Sequence, residues 1–375
     1  MSKPSNRQLA NLQLTDNTRA LLGFVFGLVV MTAAVQVFTV NAFDFDNMQR
    51  GVRTLLSGTN PWAVETRIPD FYNPPFSILF LWPMLFITPK ILQVVGGSLL
   101  FAFVFYQKSW VALAWFGTNS LLYMLGAGGI DMYVIGAGLL LLSMGDKQFD
   151  TKMGILFRVL GYGFLLIKPQ GGMFIVLLYL LTRKDWKGAL LAAVVYGLCF
   201  PHLYLDWVQV VFTDAPDSQI VAAHSLWGKF GAALAITVAV LVILARRWKY
   251  WELGGILAGV LAPYGMPGMP ILMALSAVHS LVAIPIVILF SGGLAVLTWR
   301  DPPPLSPIDF YEYTGPFMAI YHLGMLGFAI ALACLPAKDR DPAGRIAPGD
   351  WLKSRLMRLL GPLVSRWKAD GTPDG

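Results

Sequence analysis

Charge is what this chain has little of. Only 13% of its 375 residues are Asp, Glu, Lys or Arg, about half the share carried by an ordinary soluble domain. So few ionic side chains cannot cover a water-facing surface of this size. Cysteine and histidine are scarce as well, two and four respectively. Cys199 and Cys334 sit inside apolar runs expected at opposite membrane depths, which argues against a disulfide and makes them small core residues. No His/Cys cluster has metal-ligand spacing, no glycine-rich phosphate loop occurs, and there is no nucleophile elbow. The sequence has no internal repeat, which disfavours a transporter built from inverted halves.

Apolar runs are abundant. Hydrophobic residues make up 56% of the chain and the mean hydropathy is +0.62. A bilayer-crossing helix needs roughly 20 apolar residues, so the length converts into about 12 spans of an all-α, polytopic transmembrane protein. The spans expected are 20–41, 76–106, 109–126, 131–145, 153–167 and 170–182, then 188–202, 229–246, 252–263, 266–281, 283–299 and 316–335. The run 76–106 is too long for one straight helix, and Pro83 and Pro89 interrupt it with Lys90 left mid-membrane. It reads either as one bent helix or as a partial re-entrant piece followed by a span. Residues 1–19 form a polar tail, and the run after them has no small-residue cleavage site, so it reads as a signal anchor that stays as the first span.

The net charge of +7 comes from basic residues scattered at the ends of apolar runs rather than gathered in a stripe, so nucleic acid is not the expected partner. With the N-terminus inside, the inner segments collect 21 of the 28 basic residues, while six outer ones face 11 acidic residues. The positive-inside rule then puts both termini in the cytoplasm of a multi-pass cell-membrane protein. The tail 336–375 is basic. Its stretch from Trp351 to Trp367 alternates apolar and cationic residues at helical spacing, as an amphipathic helix on anionic inner-leaflet lipids would. A helix docked on the protein's own loops is the plainer alternative.

Three outside loops are substantial, 42–75, 203–228 and 300–315, within a transmembrane domain spanning 20–335. The first opens with Phe43-Asp44-Phe45-Asp46-Asn47 and closes with Asp70-Phe71-Tyr72-Asn73-Pro74-Pro75. A carboxylate where a helix leaves the bilayer is partly shielded from water, which favours a general base. Asp44 and Asp46 are read alternatively as solvated acids or as caps of a short helix from Asn47 to Leu56. Asp131 follows Gly128-Gly129-Ile130 and is either a site carboxylate or, preferentially, the N-cap of the next span. Lys168, before Pro169, suits a phosphate oxygen or snorkels to the interface. His224 precedes Ser225-Leu226-Trp227-Gly228, and Tyr264 follows Pro263. His224 is either a structural loop histidine or a contact to a phosphate or sugar hydroxyl.

The order of these pieces resembles the GT-C superfamily of membrane glycosyltransferases, and within it the bacterial mannosyltransferase branch called glycosyltransferase family 87. Asp44-Phe45, then Leu55-Leu56-Ser57-Gly58-Thr59-Asn60-Pro61-Trp62, then Tyr72-Asn73-Pro74-Pro75 follow the family's first outer loop. Gly128-Gly129-Ile130-Asp131, Lys168-Pro169, Ser225-Leu226-Trp227-Gly228 and Ala262-Pro263-Tyr264 are similar to its later edges. The resemblance covers residues 40–265. Met48 departs from the family's Tyr, Gly129 from its Gln and Asp131 from its Asn, which leaves the sugar and the activity itself open.

The resemblance implies transfer of a hexose or pentose, mannose-like in the first instance, from a polyprenyl-phosphate donor to a lipid or glycan acceptor on the non-cytoplasmic face. Asp44 would be the general base, with inversion at the anomeric carbon. Asp46 is its neighbour, and Tyr72, Asp131, Lys168, His224 and Tyr264 would bind substrate. No metal or other cofactor is required, although a divalent cation is compatible, because the leaving phosphate is already a stabilised anion that a cation such as Lys168 can offset. The rival expectations are a non-catalytic membrane scaffold or accessory subunit that keeps the fold, and, last, a transporter.

Overall fold

The computed structural model of the chain describes residues 15–37, 43–68, 71–107, 129–213, 227, 230–245, 248–262 and 345–346. These are almost entirely helical: α1 (Asp16–Val37), α2 (Phe43–Leu56), α3 (Pro89–Tyr106), α4 (Asp131–Lys147), α5 (Lys152–Leu166), α6 (Pro169–Arg183), α7 (Trp186–Gly197), α8 (Tyr204–Thr213), α9 (Ala232–Ala245) and α10 (Tyr250–Leu261). One short antiparallel ladder pairs β1 (Trp248–Lys249) with β2 (Arg345–Ile346).

Small residues decide how the helices meet. In α1 the buried positions Ala20, Gly23, Gly27, Met31 and Val35 recur every three or four residues, while Leu21, Leu22, Val25, Phe26 and Val29 remain exposed. That exposed apolar face suits lipid. The glycine stripe suits close van der Waals packing, which is what drives association where hydrophobicity cannot. A Cβ on Gly27 would stand 2.6 Å from the Ser98 Cα of α3, and one on Gly23 would stand 2.7 Å from the Phe101 carbonyl oxygen. The seam repeats between α3 and α4, where a Cβ on Gly136 would stand 2.8 Å from the Leu100 backbone nitrogen. Gly136→Ala is therefore expected to cost about 1–3 kcal/mol, because the obstruction is backbone that no rotamer change can relieve. A thermal midpoint in detergent equal to wild type would mean the seam opens freely.

The same contacts fix helix directions. Gly27 against Ser98 and Gly97 against Met31 make α1 and α3 antiparallel, whereas Gly96 against Tyr133 and Tyr106 against Ser143 make α3 and α4 parallel. Gly138 against Leu165 and Gly145 against Arg158 reverse α5, and Gly254 against Ile175 with Tyr250 against Tyr179 sets α10 antiparallel to α6. One end of the bundle thus holds the starts of α3, α4 and α6 with the ends of α1, α5 and α10. The opposite end holds Asp16, which pairs with Lys147 and Arg19.

That opposite end is closed by buried charge. Arg158 lies within an apolar run but is fully paired: its Nε donates to Asp185 Oδ2 at 2.7 Å and its Nη2 to Oδ1 at 3.1 Å, while Nη1 donates to the carbonyls of Gly145 and Phe149. Tyr162 donates its hydroxyl to Asp185 at 2.7 Å, and Asp185 caps α7 by accepting the Gly188 N–H. Burial alone would raise the Asp185 carboxyl; the hydrogen bonds from Arg158, Tyr162 and Gly188 outweigh it and hold the group below the ordinary carboxylate range.

The run 76–106 is divided at its prolines, as the second of its two readings had it: a short helical piece, Pro75–Phe86, precedes α3, which starts at Pro89 with Thr88 accepting the Ile91 N–H. Other expectations are corrected. Lys90 is exposed on the first turn of α3. The segment 42–75 carries a longer helix than expected, so Asp44 and Asp46 lie inside α2 rather than capping a helix that starts at Asn47. The segment 203–228 opens with α8, bent 85° from α7. Among the described residues, α1 and α3 are long and apolar enough to cross a membrane, or three spans if α7 and α8 are counted as one. The spans 109–126, 266–281, 283–299 and 316–335, the loop 300–315, Cys334 and the tail helix lie outside the described residues. Cys199, at the break after α7, is a free thiol.

Candidate functional site

Two charged residues that flank separate apolar runs meet at the loop end of the bundle. Asp131, the first residue of α4, is 0% exposed, and its Oδ1 stands 2.8 Å from Lys168 Nζ. The contact is a close charge pair whose angles fall short of a hydrogen bond. This corrects the N-cap reading of Asp131, since Ile130 occupies the cap position and no side chain caps the helix. It also corrects the snorkelling reading of Lys168, which is only 8% exposed and turned to a carboxylate. Pro169 opens α6, where its missing N–H costs nothing.

Two amides hold the backbone on either side of the pair. Asn73 Nδ2 donates to the Ile167 carbonyl at 3.2 Å, beside Lys168, and Gln93 Nε2 donates to the Gly129 carbonyl at 2.7 Å, two residues before Asp131. Both side chains are buried. Asn73 was visible only as part of the Tyr72-Asn73-Pro74-Pro75 run, and Gln93 escaped sequence reasoning altogether. Its signal was that it is the one amide in the apolar run from Pro89 to Tyr106.

The segment 42–75 closes over this end. Gln49 of α2 donates to the Met84 carbonyl at 2.6 Å, and Trp62 donates to the Phe71 carbonyl at 2.9 Å while stacking on the Phe71 ring. Tyr72 is half-buried beside Trp207 and Val211, and its carbonyl accepts the Trp207 indole N–H at 2.9 Å. Asn60 donates to Asp206 at 2.5 Å, so α8 grips the loop at two points.

On α2, Asp46 shares an exposed, charged side with Arg50 and Arg53. The Asp44 side chain lies outside the described residues, as do Asp70, His224 and Tyr264. The structure therefore brings Asp131 and Lys168 together, sets Tyr72 in the neighbouring wall, and leaves Asp46 on the water-facing side.

Hydrogen-bonding capacity is unspent at this end. Among the described residues, Asn47 Nδ2, Ser77 Oγ, Gln93 Oε1 and Asp131 Oδ2 are buried without a hydrogen-bond partner. Buried polar atoms in native proteins are ordinarily satisfied by protein or water, so these four atoms call for further polar partners at this end. A cation beside unsatisfied amides can hold an oxyanion and hydroxyls. Among the described residues no group of three His, Cys, Asp or Glu has the arrangement to hold a metal ion. Comparison with family models, with curated proteins and with solved structures finds no match.

Proposed function

We propose that the chain is a multi-pass cell-membrane glycosyltransferase of GT-C-like architecture, with about 12 spans and both termini cytoplasmic. Its loop end faces away from the cytoplasm and there moves a hexose or pentose from a polyprenyl-phosphate donor to a lipid or glycan acceptor. The observation that carries this reading is the convergence of Asp131, Lys168, Asn73 and Gln93 at the loop end of the bundle, where Gln93 Oε1 and the Asp131 carboxylate oxygens are buried without a hydrogen-bond partner.

In this mechanism Asp44 takes the proton of the acceptor hydroxyl, whose oxygen attacks the anomeric carbon as the bond to the lipid phosphate breaks. The phosphate leaves as an anion, and Lys168 offsets its charge. Asn73 and Gln93 act as positioning residues through the backbone that carries Lys168 and Asp131. His224 and Tyr264 complete the sugar contacts in this reading.

Asp44→Asn is expected to abolish turnover of radiolabelled polyprenyl-phosphate sugars by detergent-purified protein, by roughly 10²–10⁴-fold, while donor binding persists. Full turnover in the variant would remove Asp44 from the chemical step. One observation favours a second reading, a non-catalytic membrane scaffold or accessory subunit: Lys168 is already neutralised by Asp131, as a purely structural pair would be. Neither binding nor turnover across a broad donor panel would select it.

A further inference from the structure

α8 has two unlike faces. Toward the protein, Leu203, Val210 and Val211 are buried, Asp206 accepts from Asn60, and Trp207 donates to the Tyr72 carbonyl. Away from it, Leu205 is 81% exposed and Phe212 75%, with Val208 and Gln209 between them, so the outward positions recur at i, i+3, i+4 and i+7. No charged side chain lies on that outward stripe, since Asp206, the one charged residue of α8, is turned to Asn60.

The stripe continues an apolar surface that starts on α7. There Leu190, Leu191, Val194 and Val195 are exposed, and Leu198 follows at the break. The break itself is built into the chain. Phe200 takes a left-handed backbone conformation at φ 53°, Pro201 follows it, and the Tyr204 hydroxyl donates to the Tyr196 carbonyl at 2.6 Å, fixing an 85° bend. A bulky residue in that region costs about 1–3 kcal/mol, so the bend is imposed by what surrounds it. Ten helical residues cover about 15 Å, half of the roughly 30 Å hydrocarbon core.

We propose that α8 is an interfacial helix, seated with Leu205, Val208 and Phe212 in the headgroup–acyl boundary of the leaflet next to the candidate site, and not the second half of a membrane span. The occupant of its outward face is lipid, because the face is continuous with the exposed apolar side of α7 and carries no charge to select a protein partner or water. Tyr204 and Trp207 are the aromatic residues expected at that depth. The inner face of the same helix grips the first outer loop, so the leaflet surface and the candidate site are joined through one short element. The proposal rests on the membrane reading of the chain and is independent of the glycosyl transfer.

The test uses the full chain in phosphatidylcholine vesicles, on a Cys199→Ser, Cys334→Ser background. Single cysteines at Leu205→Cys, Phe212→Cys, Leu190→Cys and Arg53→Cys carry an environment-sensitive fluorophore. Bromines are placed on the lipid chains either near the headgroups or near the bilayer centre. Labels at 205 and 212 are expected to be quenched at least two-fold more by the shallow bromines than by the deep ones, and to resist aqueous iodide. The label at 53 should respond to iodide alone, and the label at 190 to bromolipid. Stronger quenching of 205 and 212 by deep bromines would make α8 part of a span and overturn the proposal. Iodide quenching of both, with 190 still quenched by lipid, would overturn it in favour of a water- or protein-facing helix. Absence of lipid quenching at 190 as well would mean that the membrane reading has failed.

Discussion

Asp185→Asn is expected to destabilise the protein by about 3–5 kcal/mol, because it strands the Arg158 guanidinium in a site that is 1% exposed. The asparagine keeps one acceptor oxygen for the Gly188 N–H that caps α7 but puts an NH2 donor where Asp185 Oδ2 accepts from the Tyr162 hydroxyl and Arg158 Nε, so the expected loss combines the missing charge with a missing acceptor. Arg158→Met combined with Asp185→Asn should recover most of the loss, since removing both charges leaves nothing uncompensated. The readout is the thermal midpoint, or resistance to denaturing detergent, of the purified protein. A loss under about 1 kcal/mol would put the pair in the class of solvated surface bridges. The pH dependence has a definite sign. The folded Asp185 carboxyl lies below its unfolded value, so its contribution is fully present above the unfolded pKa of ~3.9 and is lost as pH falls through the lower, folded value. The Asp185→Asn variant should lack that acid-side component.

The second large effect concerns Lys168. Lys168→Met leaves the Asp131 carboxylate buried without its cation, and is expected to cost about 3–5 kcal/mol of stability. Under the transferase reading it also lowers turnover by roughly 10²–10³-fold, the scale of losing one group that stabilises developing negative charge. Asp131→Asn separates the two roles. It keeps the lysine amine but removes the carboxylate charge beside it, so donor binding should hold or tighten while stability falls. The combination Lys168→Met with Asp131→Asn should restore much of the stability but none of the turnover. If donor binding and turnover track stability alone through all three variants, the pair is structural and the scaffold reading gains.

The boundaries of most elements were legible in the chain. The apolar runs expected at 131–145, 153–167 and 170–182 correspond to α4, α5 and α6 because charges and prolines bracket them, whereas the glycine seam at Gly23 and Gly27 came only with the structure. The two breaks were harder to read. Pro83 and Pro89 signalled an interruption in 76–106, but the piece Pro75–Phe86 owes its position to Gln49 and to the packing of Phe76 on Tyr196. The 85° turn before α8 depends on the left-handed conformation of Phe200, a residue type that gives no local warning of it.

What the sequence by itself determined was helical character and the approximate ends of the apolar helices, since these follow from the hydrophobicity of contiguous residues and from Pro, Gly and charge at the breaks. Tertiary structure alone decided the pairings: Asp131 with Lys168, Arg158 with Asp185, Asn73 with the Ile167 carbonyl and Gln93 with that of Gly129. Local sequence could offer Asp131 only a neighbouring backbone N–H, and so favoured a cap. A buried carboxylate is stabilised more by a full opposite charge than by a helix end, and that charge sits on a segment brought alongside only when α4, α5 and α6 pack.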